Sequence, residues 1–156
     1  METKTKKINC LSYSLKLSGE SQDEYISRIY NEFVKLMTEY SPFSYKNKPV
    51  EFASYQDENW IDGLFNHIIT SDANKKGIRE IDRERLKCAL WLPKILNNPD
   101  CFYCTEFRDS SSHNKKARLT IFCDKYDYVI PYKELNDKIL VISGYPVDKT
   151  NAHKFR

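Results

Sequence analysis

From Ser21 onward, Tyr25, Ile26, Ile29, Tyr30, Phe33, Leu36, Met37 and Tyr40 recur three and four residues apart. That spacing draws one apolar stripe along a helix. Ser21-Gln-Asp-Glu24 supplies a Ser-x-x-Glu capping box, and acids in the first turn suit the helix dipole. Ser41-Pro42 ends the helix, because the residue before a proline is pushed out of helical geometry. A loop with Pro49 leads to a short apolar stretch at 50–53. A second helix is predicted over Trp60 to Ile69, burying Leu64, Phe65, Ile68 and Ile69. Thr70 to Gly77 reads as a polar, lysine-bearing loop. A third helix over roughly 80–90 would expose Arg83, Glu84 and Lys87. In WLPKILNNPD, Pro93 suits the first position of a short helix that Asn97-Asn98-Pro99 closes.

After Asp100 the period changes. CFYCTEF, RLTIFCD, YVIPY and KILVISGY are β-branched or aromatic runs between polar turns, and they predict four strands. The links at 124–127 and 134–137 are too short for a parallel crossover, so neighbours should be antiparallel. RDSSSHNKKA, at 108–117, forms a longer basic tip. The expected fold is α+β: N-terminal helices packed on a C-terminal four-stranded antiparallel meander. One domain would span 1–156, with an N-terminal helical part to residue 55 and a helix-plus-sheet core over 56–156.

Composition narrows the function classes without choosing one. The chain of 156 residues is 40% hydrophobic and 30% charged, ordinary for a globular domain. No apolar run approaches the ~18 residues of a membrane span. The N-terminus lacks the apolar core and cleavage site of a signal peptide, so no membrane association is expected. Five cysteines, an odd number without framework spacing, predict thiols in a reducing compartment. Cys101-Phe-Tyr-Cys104 has C-x-x-C spacing but no second pair follows, and in a strand its two cysteines fall on opposite faces. The four glycines form no phosphate-cradling loop, which excludes the nucleotide-binding fingerprints. The net charge of +3 permits an anionic partner, and the basic residues gather in NKKAR at 114–118 and in the closing KTNAHKFR.

That closing segment carries chemistry. After Tyr145-Pro146 come Asp148, Lys149, Thr150, Asn151, His153, Lys154 and Arg156, a hydroxyl, an imidazole and several cations at one sheet edge. Cleaving RNA through its 2′-OH needs such a set: a base, an acid and cations to hold the charge building on phosphorus. Histidine suits either proton role near neutrality. The plainer reading of His153 is a solvated tail residue. His67, in the apolar GLFNHIIT, is either a half-buried core histidine or a retuned site residue. Arg118 opens the second strand after Lys115 and Lys116; its plain reading is a solvated edge cation. His113 sits in a polar loop and is expected to be solvent-exposed. No carboxylate cluster, His-x-His or HExxH occurs, which argues from sequence against a metal-dependent nuclease. No G-x-S-x-G elbow supports a serine hydrolase either. No cofactor is expected.

The order of these features resembles the phage-type branch of the barnase, EndoU, colicin D and RelE-like nuclease superfamily. The residues are His67, Arg83, Arg85, Trp91, Pro93, Ile95, Leu96, Pro99 and Asp100, then Arg118, VISGYP at 141–146, Thr150 and His153. The match spans about residues 60 to 156. It implies a metal-independent endoribonuclease of the toxin, phage or effector type, built on a helix-plus-meander core. Catalysis would fall to His67, Arg118, Thr150 and His153, with Lys116, Lys149, Lys154 and Arg85 binding substrate. Partners would be RNA, tRNA included, and a cognate acidic inhibitor. The site of action would be cytoplasmic, the domain being delivered or secreted as part of a larger protein. Barnase-like enzymes also use a glutamate base, for which Glu106 on the first strand is the candidate. The other reading is a non-catalytic nucleic-acid or protein binding module on the same fold.

Overall fold

A computed structural model describes residues 21–53, 55, 59–72, 77–98, 103–109, 118–152 and 155, with the side chains of Asp109, Arg118, Lys149 and Thr150 outside the description. Helix α1, Gln22–Tyr40, is capped by Ser21, whose Oγ accepts from the Glu24 amide at 3.2 Å. It buries Tyr25, Ile29, Phe33, Leu36 and Met37, as the apolar stripe predicts. Helix α2, Trp60–Ile69, has the expected bounds and is capped by Asn59. The Phe65 ring joins the two helices through Tyr30 and Phe33, each centred 5.3 Å away. Among the described residues, no helix is long and apolar enough to cross a membrane.

Helix α1 is followed by strands, before α2 begins. β1, Ser44–Tyr45, and β2, Lys48–Phe52, form a hairpin through Lys46 and Asn47, both at positive φ. Such a two-residue turn needs positive φ at both central positions, which Asn accepts readily and Lys rarely does. The turn signal was therefore hidden, and Pro49 made the segment look unlike a strand.

The remaining elements are β3 (Thr70–Ser71), β4 (Glu80–Ile81), α3 (Arg83–Lys87), α4 (Trp91–Asn97), β5 (Cys104–Asp109), β6 (Arg118–Cys123), β7 (Tyr128–Glu134), β8 (Ile139–Val141), β9 (Tyr145–Pro146) and α5 (Lys149–Ala152). The helix expected over 80–90 begins only at Arg83, because Asp82 caps it and Glu80–Ile81 pairs with Thr70–Ser71 instead. Arg83, Glu84 and Lys87 are exposed as expected. Pro93 stands third in α4, not first, still within the turn whose amides need no helical acceptor. Asn98 closes that helix, and Pro99 lies outside the described residues.

The four expected strands correspond to the antiparallel succession β5-β6-β7-β8, but the fourth, expected over 138–145, is cut to Ile139–Val141. The sheet is nevertheless not a four-stranded meander. It runs β1-β2-β8-β7-β6-β5, with β2 parallel to β8 and β9 paired to β7. The sheet curls: Lys46, beside β1, bridges Glu106 on β5 at 2.7 Å and Glu134 on β7 at 3.3 Å. The fold is thus mixed α+β, with most helices early and a mixed sheet. Its helix face, including Ile121, Cys123, Tyr128, Ile130 and Tyr132, shares a core with α1, α2 and α4. On the other face Phe122 and Val129 pack with Ala152 of α5 and with Phe155.

One irregularity sets where the tail goes. Val141 pairs with Tyr132 and Tyr145 with Val129, so Ile142, Ser143 and Gly144 face only Ile130 and Pro131. That extra residue is a β-bulge, and it reverses which face each following side chain takes. Ile139 and Val141 look toward the helices, whereas Tyr145 joins the tail-face cluster. Pro131 fixes the bulge's place. Its carbonyl accepts from Ile142 at 2.9 Å, so the missing proline N–H also faces the bulge, where the ladder is already broken. Gly144 completes the packing: a Cβ there would lie 2.6 Å from Tyr128 Oη and 3.0 Å from Leu92 Cδ1. Tyr128 is fully buried and has nowhere to retreat. Gly144→Ala should lower the unfolding free energy by about 1–3 kcal/mol through overpacking. Urea denaturation measures this, and an unchanged midpoint would show that the bulge repacks freely.

Candidate functional site

The end of α2 organises the site. Thr70 follows the helix in extended geometry, φ −119° and ψ 158°, which leaves the last helical carbonyls without helical donors. Thr70 Oγ1 turns back to Asn66 O at 2.6 Å. The Asp82 amide donates to Ile69 O at 2.9 Å, and Arg79 donates Nη2 to His67 O at 2.9 Å and to Thr70 O at 2.6 Å, and Nε to Thr70 Oγ1 at 3.0 Å. Arg85 of α3 donates Nη1 to the same Thr70 carbonyl at 3.1 Å. Two guanidinium groups thus meet at the negative end of a helix dipole, where cations are favoured.

Asp82 positions Arg85. Its Oδ1 accepts the Glu84 and Arg85 amides at 3.0 and 3.2 Å, its Oδ2 accepts Ser71 Oγ at 3.0 Å, and Oδ2 lies 3.9 Å from Arg85 Nε. The Arg85 guanidinium also lies over the Tyr145 ring, 4.8 Å from its centroid. The bulge therefore delivers β9 to the arginine pair.

His67 lies at the same end of α2, half-buried. Its ring stacks on Tyr55, 4.0 Å between centroids and 8° between planes. Gly63, one turn earlier, makes the stack possible: a Cβ there would sit 2.9 Å from the Tyr55 carbonyl oxygen. The Tyr55 hydroxyl donates to the Ile142 carbonyl, tying the stack to the bulge. Burial, then Arg79, then Arg85 push the His67 pKa down to about 4. At neutral pH the imidazole is uncharged, an acceptor or base and not a cation.

The structure brings His67 and Arg85 together, two of the residues chosen from sequence. Arg118 opens β6, and Phe122, level with Tyr145 through Val129, is four residues further on. That puts the Arg118 backbone about 13 Å along the strand from the Tyr145 level. Lys149 and Thr150 belong to α5, whose Ala152 is buried on the tail face. Phe155 packs edge-on to Phe107 at 4.9 Å and stacks on Phe122 at 5.2 Å, carrying the tail across that face. Lys116, His153 and Lys154, with His113, lie outside the described residues. Glu106 is held by Lys46 and lies 3.4 Å from the Tyr45 hydroxyl, away from His67.

Arg79, Tyr55, Asp82 and Tyr145 were missed as site residues. Arg79 follows a stretch that reads as loop, and nothing in its spacing tells of the Thr70–Ile81 pairing that brings it back to α2. Asp82 had a readable signal, an N-cap aspartate, but it was absorbed into a longer helix. Comparison with protein-family models, curated proteins and solved structures returns no match.

The depressed pKa of His67 has a stability consequence. Between about 4 and the ordinary 6.5, the folded chain binds fewer protons than the unfolded one. Stability from this group is fully present above 6.5 and is lost as pH falls toward 4. The urea midpoint of the wild type should therefore drop more between pH 7 and pH 4.5 than that of His67→Gln. Equal drops would mean that His67 titrates normally in the folded chain.

Proposed function

We propose that this chain is a metal-independent endoribonuclease acting by 2′-OH transesterification. The observation that carries the reading is an uncharged, half-buried His67 flanked by Arg79 and Arg85, at the sheet edge where β9 leads into the segment bearing Thr150 and His153. In the proposed reaction neutral His67 takes the proton of the 2′-OH. The 2′-oxygen attacks phosphorus, a 2′,3′-cyclic phosphate forms, and the 5′-oxygen leaves with a proton from His153. Arg85 and Arg79 hold the charge that builds on the phosphoryl oxygens, and Thr150 adds a hydrogen bond. Arg118, Lys116, Lys149 and Lys154 are assigned to neighbouring phosphates of the RNA backbone. Its partners are RNA, tRNA included, and an acidic inhibitor; its place of action is the cytoplasm, reached as part of a larger protein.

A second reading has an observation of its own. Arg79 and Arg85 both spend donors on the Thr70 carbonyl, as residues holding a helix end would. That favours a nucleic-acid or protein binding module with the same positive surface.

Cleavage of total RNA and tRNA in excess EDTA separates the two. The nuclease should cut, and His153→Ala should cost about 10²–10⁴-fold in rate. A folded wild type that binds RNA in a salt-sensitive way without cutting it supports the module instead. The pH profile supplies a separate check. With the His67 pKa near 4, the acidic limb of kcat/KM should fall well below pH 6. A limb at 6–7 that disappears in His67→Gln would contradict the assigned state of His67.

A further inference from the structure

Away from the proposed site, β5 and β6 place two thiols opposite each other. Cys104 and Cys123 are register partners. The Asp124 amide donates to the Tyr103 carbonyl at 2.8 Å, just outside the pair. Theirs is therefore a non-hydrogen-bonded position, where facing Cα atoms approach to about 4.5 Å. That separation falls inside the range a disulfide spans, about 4.4–6.8 Å. Both residues are reduced, and the side chain of Cys104 hydrogen-bonds Cys123. The turn after Cys123 aims the backbone amides of Lys125 and Tyr126 at its sulfur. Among the described residues β5 is the last strand of the sheet, so Cys104 stands at the start of an edge strand.

We propose that Cys104 and Cys123 are a reversible dithiol–disulfide pair that takes small-molecule disulfides as its redox partner. The Cys123 thiolate attacks a small disulfide and expels one small thiol. Cys104 then attacks the mixed disulfide at the Cys123 sulfur and releases the second. Two protein S–H bonds are lost and one S–S bond is gained. The partner's S–S bond accepts the two electrons and two protons and becomes two thiols. The amides of Lys125 and Tyr126 and the Cys104 thiol favour the Cys123 thiolate, whose pKa is held near 7. Both side chains are buried, so the first attack proceeds through fraying at the start of β5, the part of a sheet that opens most easily. The same turn touches α4 and the segment after β9: Tyr126 packs on Trp91 at 5.3 Å, and the Asp127 carbonyl accepts from Val147 at 2.8 Å.

The test uses the full chain in glutathione buffers of graded reduced-to-oxidised ratio, quenched by alkylation and digested without reductant. A linked peptide joining residues 95–108 to 119–125 is expected while the circular dichroism stays native. Because the first peptide also holds Cys101, the link should persist in Cys101→Ser and vanish in Cys104→Ser. Dithiothreitol should reverse it, and the oxidised form should melt several degrees higher. The proposal is overturned if Cys123 remains a thiol while other cysteines oxidise, if the link forms only in denaturant, or if it is lost in Cys101→Ser. Should Cys104→Ser fail to fold, the Cys101→Ser digest decides alone.

Discussion

The structure depends on the bulge at Ile142–Gly144. It adds one residue to a strand opposite Pro131, the residue of β7 that has no amide to offer there. In a regular ladder Tyr145 would lie on the helix face with Val141. With the bulge it lies on the tail face, reaches Arg85, and starts the chain toward α5. The bulge also presents the Ile142 carbonyl to Tyr55, whose ring supports His67. A single register shift thus connects the helix layer, the sheet edge and the tail.

The second constraint is electrostatic. The end of α2 offers carbonyls that helical geometry cannot satisfy, and Thr70, Arg79 and Arg85 gather to meet them. The partial burial of His67 and the positive charge of the two arginines then act in the same direction, holding the imidazole neutral. The feature that stabilises a helix end therefore also sets the protonation state of the candidate base. Structural and functional demands converge on the same few atoms, which is why the arginines support either a catalytic or a binding reading.

Where local rules decide structure, the sequence was readable. The Ser21 cap, the stripe of α1, the bounds of α2 and the cores of the strands β5 to β8 all follow from periodicity and capping. His67 and Arg85 were identifiable as residues of interest and do lie together. Long-range pairing was not readable. β2 is five residues with a proline, and its parallel partner β8 is nearly ninety residues away. The Thr70–Ile81 pairing shortened α3 and brought in Arg79, and it involves two residues on each side. Glu106 looked available as a base on its strand, but the curl of the sheet gives it to Lys46. The Cys101–Cys104 spacing drew attention along the chain, whereas the partner that faces Cys104 across the sheet is Cys123.

In the proposed reaction His67, Arg79 and Arg85 receive a phosphodiester. The decisive experiment follows the His67 imidazole by NMR while a 2′-deoxy oligonucleotide, which cannot be cleaved through a 2′-OH, is titrated in. A saturable shift of the His67 ring signals is expected, with a rise of its pKa from about 4, because bound phosphate offsets the two guanidinium charges. An unmoved His67, in a folded chain that binds the oligonucleotide through other residues, would contradict it.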